Sequence, residues 1–530
     1  MSIFLIIVLI LLLAGAIVTY LLSGRQGKEA TTGAIVVLAI TLIVWILANR
    51  FIPLSFVLAD WSPMESTSQW LLLVDNVNWQ ISFYFLLFLE ALLLTQSRFN
   101  LPHTTAAQSF GERLFLPLTL VLTAIVLLAI WSSSLPGLIS SWTLLAIFWL
   151  ILLWVNQGAQ TSPREMIIRF GFLLLSVAFL GLAVATFDRS TGLALTGESW
   201  PTTSLFFAFL AVLTQLGAVP LHWWRPLTLP LRPSMAVIIH LLPSIAGAAL
   251  LARLVLIEGG LTTIAPLITV LGWLGLFFGA YLAWIQFQRP IVAVTGLAVA
   301  QVGLITINGG WIGSHSVVAS YRVLILAVGS LYLINGLPKQ RFPWYVIMPI
   351  AALAGLPLTA GFSGLAPLYS DWFSSGLHGL AIVTGLLIIP VIAAAIQVSR
   401  QATNDAQEET LSVSESLLLN LGLLLPTLGL LVLPGSDLVD IPLVTWLYVL
   451  VIIVASIILN RYVEQIRVRL LNFNSELNAV QIELKVQTII AKLANGLSVA
   501  IRETAGILEG ERGMLWLLIL VIVIWFAQSG

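Results

Sequence analysis

An all-α polytopic membrane protein of about sixteen transmembrane helices is the fold this sequence predicts, and three observations predict it. Of its 530 residues, 59% are hydrophobic and only 9% are charged, about a third of the charged fraction of a soluble protein. The apolar residues gather into about sixteen runs close to the ~20 residues that a bilayer core demands. No run alternates apolar and polar residues as a barrel strand does, and backbone groups in lipid must pair internally, so the spans are helices.

In chain order the first eight spans read as roughly 2 to 22, 31 to 52, 76 to 97, 115 to 133, 138 to 155, 166 to 187, 201 to 221 and 233 to 256. The next seven read as roughly 262 to 286, 290 to 308, 312 to 335, 343 to 363, 374 to 399, 411 to 434 and 442 to 460, with a last one at roughly 513 to 528. The first run is too long for a cleaved signal core and no small-residue cleavage pattern follows it, so it is expected to stay as an anchor. Alternate loops then differ in charge. One side carries Arg25, Lys28, Arg98, Arg113, Arg164, Arg225, Arg232, Arg289, Lys339, Arg341, Arg400 and the basic residues between 461 and 512. The other holds little beyond Arg50 and Arg189, with Asp60, Glu65, Glu198, Asp437 and Asp440. The positive-inside rule makes the first side cytoplasmic and puts the N-terminus outside. Trp79, Trp142 and Trp154, near span ends, read as interfacial anchors.

The stretch 461–512 is expected to be no span. It lacks proline, and Val463, Ile466, Leu470, Phe473, Leu477, Val480 and Leu484 recur at alternating steps of three and four, an apolar stripe on a helix. A continuous helix here reaches roughly 75 Å at about 1.5 Å per residue. It is expected to lie laterally on the cytoplasmic surface. A helical hairpin broken at Gly496 or Gly506 is the other reading.

Composition also excludes chemistry. With no cysteine and 5 scattered histidines, the chain offers no disulfide, thiolate zinc site or cysteine-held iron-sulfur cluster. No motif for a nucleotide, flavin or metal is present, so no cofactor, no metal, no catalytic residue and no nucleic-acid partner is expected.

The densest motif is Thr214-Gln215-Leu216-Gly217-Ala218-Val219-Pro220-Leu221-His222-Trp223-Trp224-Arg225-Pro226, followed by His240 and Arg253 in the next span. It resembles the threonine-lysine, Pro-Leu-His, tryptophan and proline signature of the antiporter-like subunits of respiratory complex I, Mrp cation/proton antiporters and membrane-bound hydrogenases. Gln215 stands where that family has its lysine. Asp75 resembles the aspartate before the third span. Phe148-Trp149-Leu150 resembles Phe-Trp-Glu with the glutamate replaced, and Val299-Ala300-Gln301-Val302-Gly303 resembles Ser-Gln-Met-Gly. Arg322 falls at a further lysine position. Leu353 to Ser363 is similar to Leu-Ala-Gly-Leu-Pro…Gly-Phe-Phe-Ser, but Gly364-Leu365-Ala366 replaces the lysine-acid pair that follows.

The resemblance covers about residues 70 to 400 and is strongest to the largest subunit, which carries a lateral helix. It implies two inverted five-helix repeats, each with a helix broken at mid-membrane, here at Gly217 and Pro220 and at Gly355, Pro357 and Gly361. The implied organisation is N-terminal helices over 1–110, a first repeat over 111–257 and a second over 258–400. C-terminal helices over 401–460, the lateral helix over 461–512 and an anchor over 513–530 complete it. The implied function is that of a membrane-arm subunit in a complex I-like NADH/quinone oxidoreductase or related energy-converting complex, beside other membrane subunits in the lipid bilayer.

A buried lysine moves protons because desolvation lowers its pKa; an amide does not titrate. With Gln215 and Leu150 in place of the lysine and its glutamate, the subunit is expected to be structural, or to conduct by another route. The remaining candidates for lining such a route are Glu90, Gln215, His240, Gln301 and Arg322. Each has a bland counterpart: a protonated carboxyl bonded to a neighbouring helix for Glu90, a neutral histidine satisfying a broken helix for His240, interhelical bonding for the two glutamines and a fixed counter-charge for Arg322. For His222 and Arg225 the favoured reading is headgroup contact at a span end. A Mrp-type antiporter subunit and a subunit of an inorganic-carbon-accumulating complex, on the spacing from His240 to Gly247, are the alternative functions.

Overall fold

The computed structural model describes residues 3–23, 27–60, 69–96, 110–157, 163–186, 200–227, 231–257, 261–286, 289–335, 344–404, 412–431 and 441–473. The chain divides into two compact units, Met1–Asn472 and Phe473–Gly530. The predicted anchor at 513–530 and most of the predicted lateral helix lie outside the described residues.

The helical membrane fold is as the composition requires. Among the described residues, 13 helices are long and apolar enough to cross a membrane. These are α1 (Ile3–Ser23), α2 (Gly27–Ala48), α3 (Asn76–Gln96), α4 (Phe110–Trp131), α5 (Leu135–Gln157), α6 (Pro163–Ala185), α8 (Pro233–Leu254), α9 (Ala265–Ile285) and α10 (Pro290–Trp311). The others are the continuous helix formed by α11 (Ser314–Arg322), a π-helical stretch at Val323–Val328 and α12 (Gly329–Ile334), then α15 (His378–Asn404), α16 (Val413–Leu430) and α17 (Leu443–Phe473). The seventh predicted span is the short α7 (Thr202–Leu216), and the twelfth is split into α13 (Trp344–Leu353) and α14 (Ala360–Ser374).

Three features differ from the expectation. Residues 54–60 and 69–74 form an antiparallel pair, β1 (Leu54–Asp60) with β2 (Gln69–Val74), which sequence reading took as loop. Their apolar runs are too short to span as helices, and β2 shows a buried face at every second residue. The hairpin closes over the end of α4, where the Ser133 N–H donates to the Leu71 carbonyl and the Trp70 indole to Ser132. Residues 364–373 belong to α14 rather than to a loop; Gly364 and Pro367 disguised a helix with a buried face at Phe362, Leu365, Leu368, Tyr369 and Trp372. Finally, α17 runs through position 460 to Phe473 without a break, so its span and the start of the amphipathic stretch are one helix.

α8 is the core of the bundle, buried along its whole length, and it carries a proline that shapes the site. Pro243 has no N–H, which frees the carbonyl four residues earlier. That carbonyl belongs to Ile239, and the Trp149 indole of α5 donates to it at 3.0 Å. α9 and α10 meet backbone to backbone through glycines, as membrane helices do at small-residue seams. A Cβ on Gly279 would lie 2.4 Å from the Ala300 nitrogen, and one on Gly303 would lie 2.5 Å from the Gly272 carbonyl oxygen.

Two outcomes are expected from thermal unfolding in detergent. Gly279→Ala overpacks the α9–α10 seam and destabilises by about 1–3 kcal/mol, whereas Gly171→Ala, whose Cβ meets nothing within 4 Å, changes nothing measurable. Trp149→Phe strands the Ile239 carbonyl and costs about 1–3 kcal/mol. Adding Pro243→Ala supplies the missing N–H, so the double variant regains most of the loss; strict additivity of the two changes contradicts the assignment.

Candidate functional site

The site is built around the end of α7. Gly217 takes the left-handed conformation, φ 69 and ψ 44, and the Ala218 and Gly217 N–H groups donate back to the Leu213 and Thr214 carbonyls at 2.9 and 3.1 Å. This pair of bonds is a Schellman motif, which ends the helix inside the protein. The Leu216 carbonyl receives nothing from α7 and the Thr214 carbonyl can accept a second bond, and the following loop returns to satisfy both. The Trp224 indole donates to Thr214 at 2.9 Å, and Arg225 Nη2 donates to Leu216 at 2.8 Å and to Ser244 of α8 at 2.8 Å. Ser244 itself donates to Leu216 at 2.8 Å. Gly247 allows this closeness, because a Cβ there would lie 2.8 Å from the Leu216 nitrogen.

The loop is pinned from the other side by Arg169 of α6. Its Nη1 donates to the Arg225 carbonyl at 2.7 Å and the Trp223 carbonyl at 3.3 Å, while Nη2 pairs with Glu165 at 2.6 Å. His222 and Arg225 are therefore 3% and 1% exposed, and the expected headgroup contact is corrected. An unsatisfied helix end draws the loop inward, and a charge that suits a cytoplasmic loop ends up in the core. Trp142 is likewise buried rather than interfacial, whereas Trp154 is exposed.

The candidate route residues divide into two groups. Gln215 accepts from Ser176 of α6 at 2.7 Å, a bond that ties α6 to α7. Leu150 is half-buried and packs on the core. His240 stacks on Tyr332 of α12 with ring centroids 5.9 Å apart and lies one turn from Ser244 on α8, to which Arg225 donates. Gln215, His240 and Arg225 thus share one neighbourhood. Gln301 donates to the Ser320 carbonyl at 3.0 Å, and Asn308 donates to Ser320 Oγ at 2.6 Å, a separate polar link between α10 and α11. Glu90 is buried in α3 with one carboxyl oxygen that finds no hydrogen-bond partner.

The second break repeats the first. Gly355 has φ 66, and the Leu356 and Gly355 N–H groups donate to the Ala351 and Ala352 carbonyls at 2.9 and 3.1 Å. Pro357 follows at once, and Leu358 sits at φ 65, a conformation that non-glycine residues seldom adopt. Gly361 starts α14 directly against α13, with room for no side chain before the Ala352 carbonyl. Thr359 bridges to Leu431 at the end of α16, where Arg322 donates to the Gly429 and Leu431 carbonyls and lies 4.5 Å over the Tyr84 ring. Arg322 thus binds a helix end rather than a carboxylate. Arg253 does the same at the end of α4, donating to the Ile130 and Ser132 carbonyls.

Sequence reading missed Arg169, Ser176 and Ser244. The available signal for Arg169 was its i,i+4 spacing from Glu165 near the start of an apolar span, which charge counting by loop does not register. Among the described residues, no group of three or more histidines, aspartates and glutamates is placed to hold a metal.

No family model matches the chain. By sequence it is similar to NADH-quinone oxidoreductase subunit N 2 of Solidesulfovibrio magneticus, 23% identical over 261 residues, which is 44% of this chain and 56% of that protein. It is similar also to NADH-quinone oxidoreductase subunit N of Salinispora arenicola, at 26% identity over 42% of this chain and 50% of that one. A third relative is NAD(P)H-quinone oxidoreductase subunit 5, chloroplastic, of Lemna minor, 26% identical over 46% of this chain and 38% of that protein. The match thus spans about half or less of the length of these relatives. By structure, it superposes on a chain of respiratory complex I from Thermus thermophilus with bound Aureothin, at TM-score 0.60 and 16% identity, covering 80% of this chain and 96% of that one. A chain of the Mrp complex from Dietzia sp. superposes at TM-score 0.70 and 16% identity, covering 99% of this chain and 62% of its own length. The chain has the fold of the antiporter-like membrane subunits of complex I and the Mrp complex, and it is related in sequence to membrane subunits of quinone oxidoreductases.

Proposed function

We propose that this chain is a membrane-arm subunit of a complex I-like energy-converting assembly and that it serves there as scaffold rather than as a proton carrier. One observation carries the reading. At the first break the amide of Gln215 is hydrogen-bonded to Ser176, Leu150 stands in the carboxylate's place, and the nearby cation, Arg225, is spent on the α7 end. The break is kept while the groups that would load and release a proton there are not. The loop charges support a cytoplasmic face that carries the basic loops and the stretch from 461 onward. In this reading the chain keeps the six-part organisation with repeats over 111–257 and 258–400. The partners this reading requires are other membrane subunits packed on the lipid-facing flanks.

The fold likeness to the Mrp complex, which covers 99% of this chain, favours a cation/proton antiporter assembly as the second reading. Purification from native membranes separates the two. Co-purification with quinone-oxidoreductase subunits is the expected result, and isolation with antiporter subunits alone transfers the chain to the second reading. Within the assembly, Glu90→Gln and His240→Ala are expected to leave the number of protons moved per electron unchanged in proteoliposomes. A fall of about twofold or more in either variant means that a rerouted proton path runs through this subunit.

A further inference from the structure

The second break leaves polar backbone on the outside of the bundle at mid-membrane depth. α13 supplies about 15 Å of helix before it and α14 about 22 Å after it, at about 1.5 Å per residue, so residues 354–359 lie inside the roughly 30 Å hydrocarbon core. Pro357 and Leu358 have left helical geometry there and face outward, Leu358 with 52% of its surface exposed. Among the described residues nothing accepts from the Leu358 N–H and nothing donates to the Pro357 carbonyl. The next residue offers no help, because the Thr359 N–H and hydroxyl both turn back to the Leu356 carbonyl, at 3.2 and 2.6 Å. The exposed side chains around the break are apolar: Ile347 on α13, Leu424 and Leu428 on α16, and Leu431, which the bridge to Thr359 ties to the break.

Leu358 itself is costly where it stands. At φ 65 its Cβ crowds the backbone, whereas glycine takes this conformation without strain. A strained residue persists where its side chain has a task, and a leucine half in the open has little of one within its own chain. Lipid does not supply the task. Hydrocarbon offers no partner to an N–H or a carbonyl, so irregular backbone at membrane depth occurs where protein buries it or where it lines a water-filled cavity. A rim of leucine and isoleucine is not the polar lining that holds water. Protein remains as the cover.

From this geometry we propose that the second break is a docking surface for a transmembrane helix of a neighbouring membrane subunit. The helix packs on Leu358 and the α13–α16 flank, and it carries an amide or hydroxyl side chain, which can accept from the Leu358 N–H and donate to the Pro357 carbonyl. The proposal rests on the chain being one subunit of an assembly, of either kind.

The test puts the photo-crosslinker p-benzoylphenylalanine in place of Leu358, or of Leu428 on the same flank, in the full chain in native membranes. Irradiation is expected to join both positions to one membrane subunit that co-purifies with the chain, and the same probe at Leu386 of α15, 61% exposed, to phospholipid. Adducts at both 358 and 428 with phospholipid alone, with a second copy of this chain, or with residues of the same chain overturn the proposal. Leu358→Gly removes the side chain and the strain together, so it is expected to cut recovery of that subunit about threefold without lowering the melting temperature of the full chain in detergent. Unchanged recovery overturns the proposal as well. Phospholipid adducts in an assembly that contains quinone-oxidoreductase subunits overturn the docking surface and leave the proposed function standing; an adduct with an antiporter subunit does the reverse.

Discussion

Helices that end inside a bundle have carbonyls to satisfy where water is scarce, and in this protein arginine satisfies them. Three buried or half-buried arginines do the same work at three helix ends, Arg225 at α7, Arg253 at α4 and Arg322 at α16. None of the three has a carboxylate in ion-pair range among the described residues. Hydrogen bonds from a charged donor contribute about 1.5–3 kcal/mol each, and the partial negative charge of a helix C-terminus favours a cation there. Together these terms offset much of the cost of burying a guanidinium. Remove one arginine and a helix end, a loop and a neighbouring helix lose their common anchor.

This constraint explains why the breaks need no proton-carrying residue to hold them. A helix break needs a left-handed glycine, a proline to prevent continuation and donors for the freed carbonyls. Gly217 and Gly355 provide the first, Pro220 and Pro357 the second, and Trp224, Arg225 and Ser244 supply donors at the first break. None of these roles requires a titratable lysine at position 215. The amide of Gln215 links α6 to α7 through Ser176, so the break is held without a titratable group at that position. The same holds for Phe148-Trp149-Leu150. Leu150 carries no titratable group, and the tryptophan before it has a task fixed by Pro243 and the free Ile239 carbonyl.

The spans were legible because a bilayer imposes both their length and their composition, and the break glycines because left-handed turns demand them. Arg225 was misread for a physical reason. Loop charge is a sound guide to topology only where the loop reaches water, and the loop after α7 is drawn back by the helix end it must cap. β1 and β2 were missed because short apolar runs do not declare their period. α14 was missed because its polar face resembles a loop when the Gly364, Pro367 and Asp371 positions are read in one dimension. Gln301 and Arg322 were visible as polar residues in apolar spans. What they bind, the Ser320 carbonyl and the α16 end, is set by long-range packing that one sequence does not encode locally.

A lysine and an arginine at such a break differ in kind. Lysine can become neutral when burial lowers its pKa, so a cation or proton can pass while the lysine is discharged. Arginine keeps its charge under all working conditions. At a separation of about 4 Å and an effective dielectric constant near 20, a fixed guanidinium raises the energy of a second positive charge by about 4 kcal/mol, which lowers its occupancy about a thousandfold. Salt does little to screen an interaction buried this deeply. The Arg225 side chain that satisfies the end of α7 therefore also sets the electrostatic character of the break. A second positive charge beside Arg225 is disfavoured, which agrees with the scaffold role proposed for this subunit.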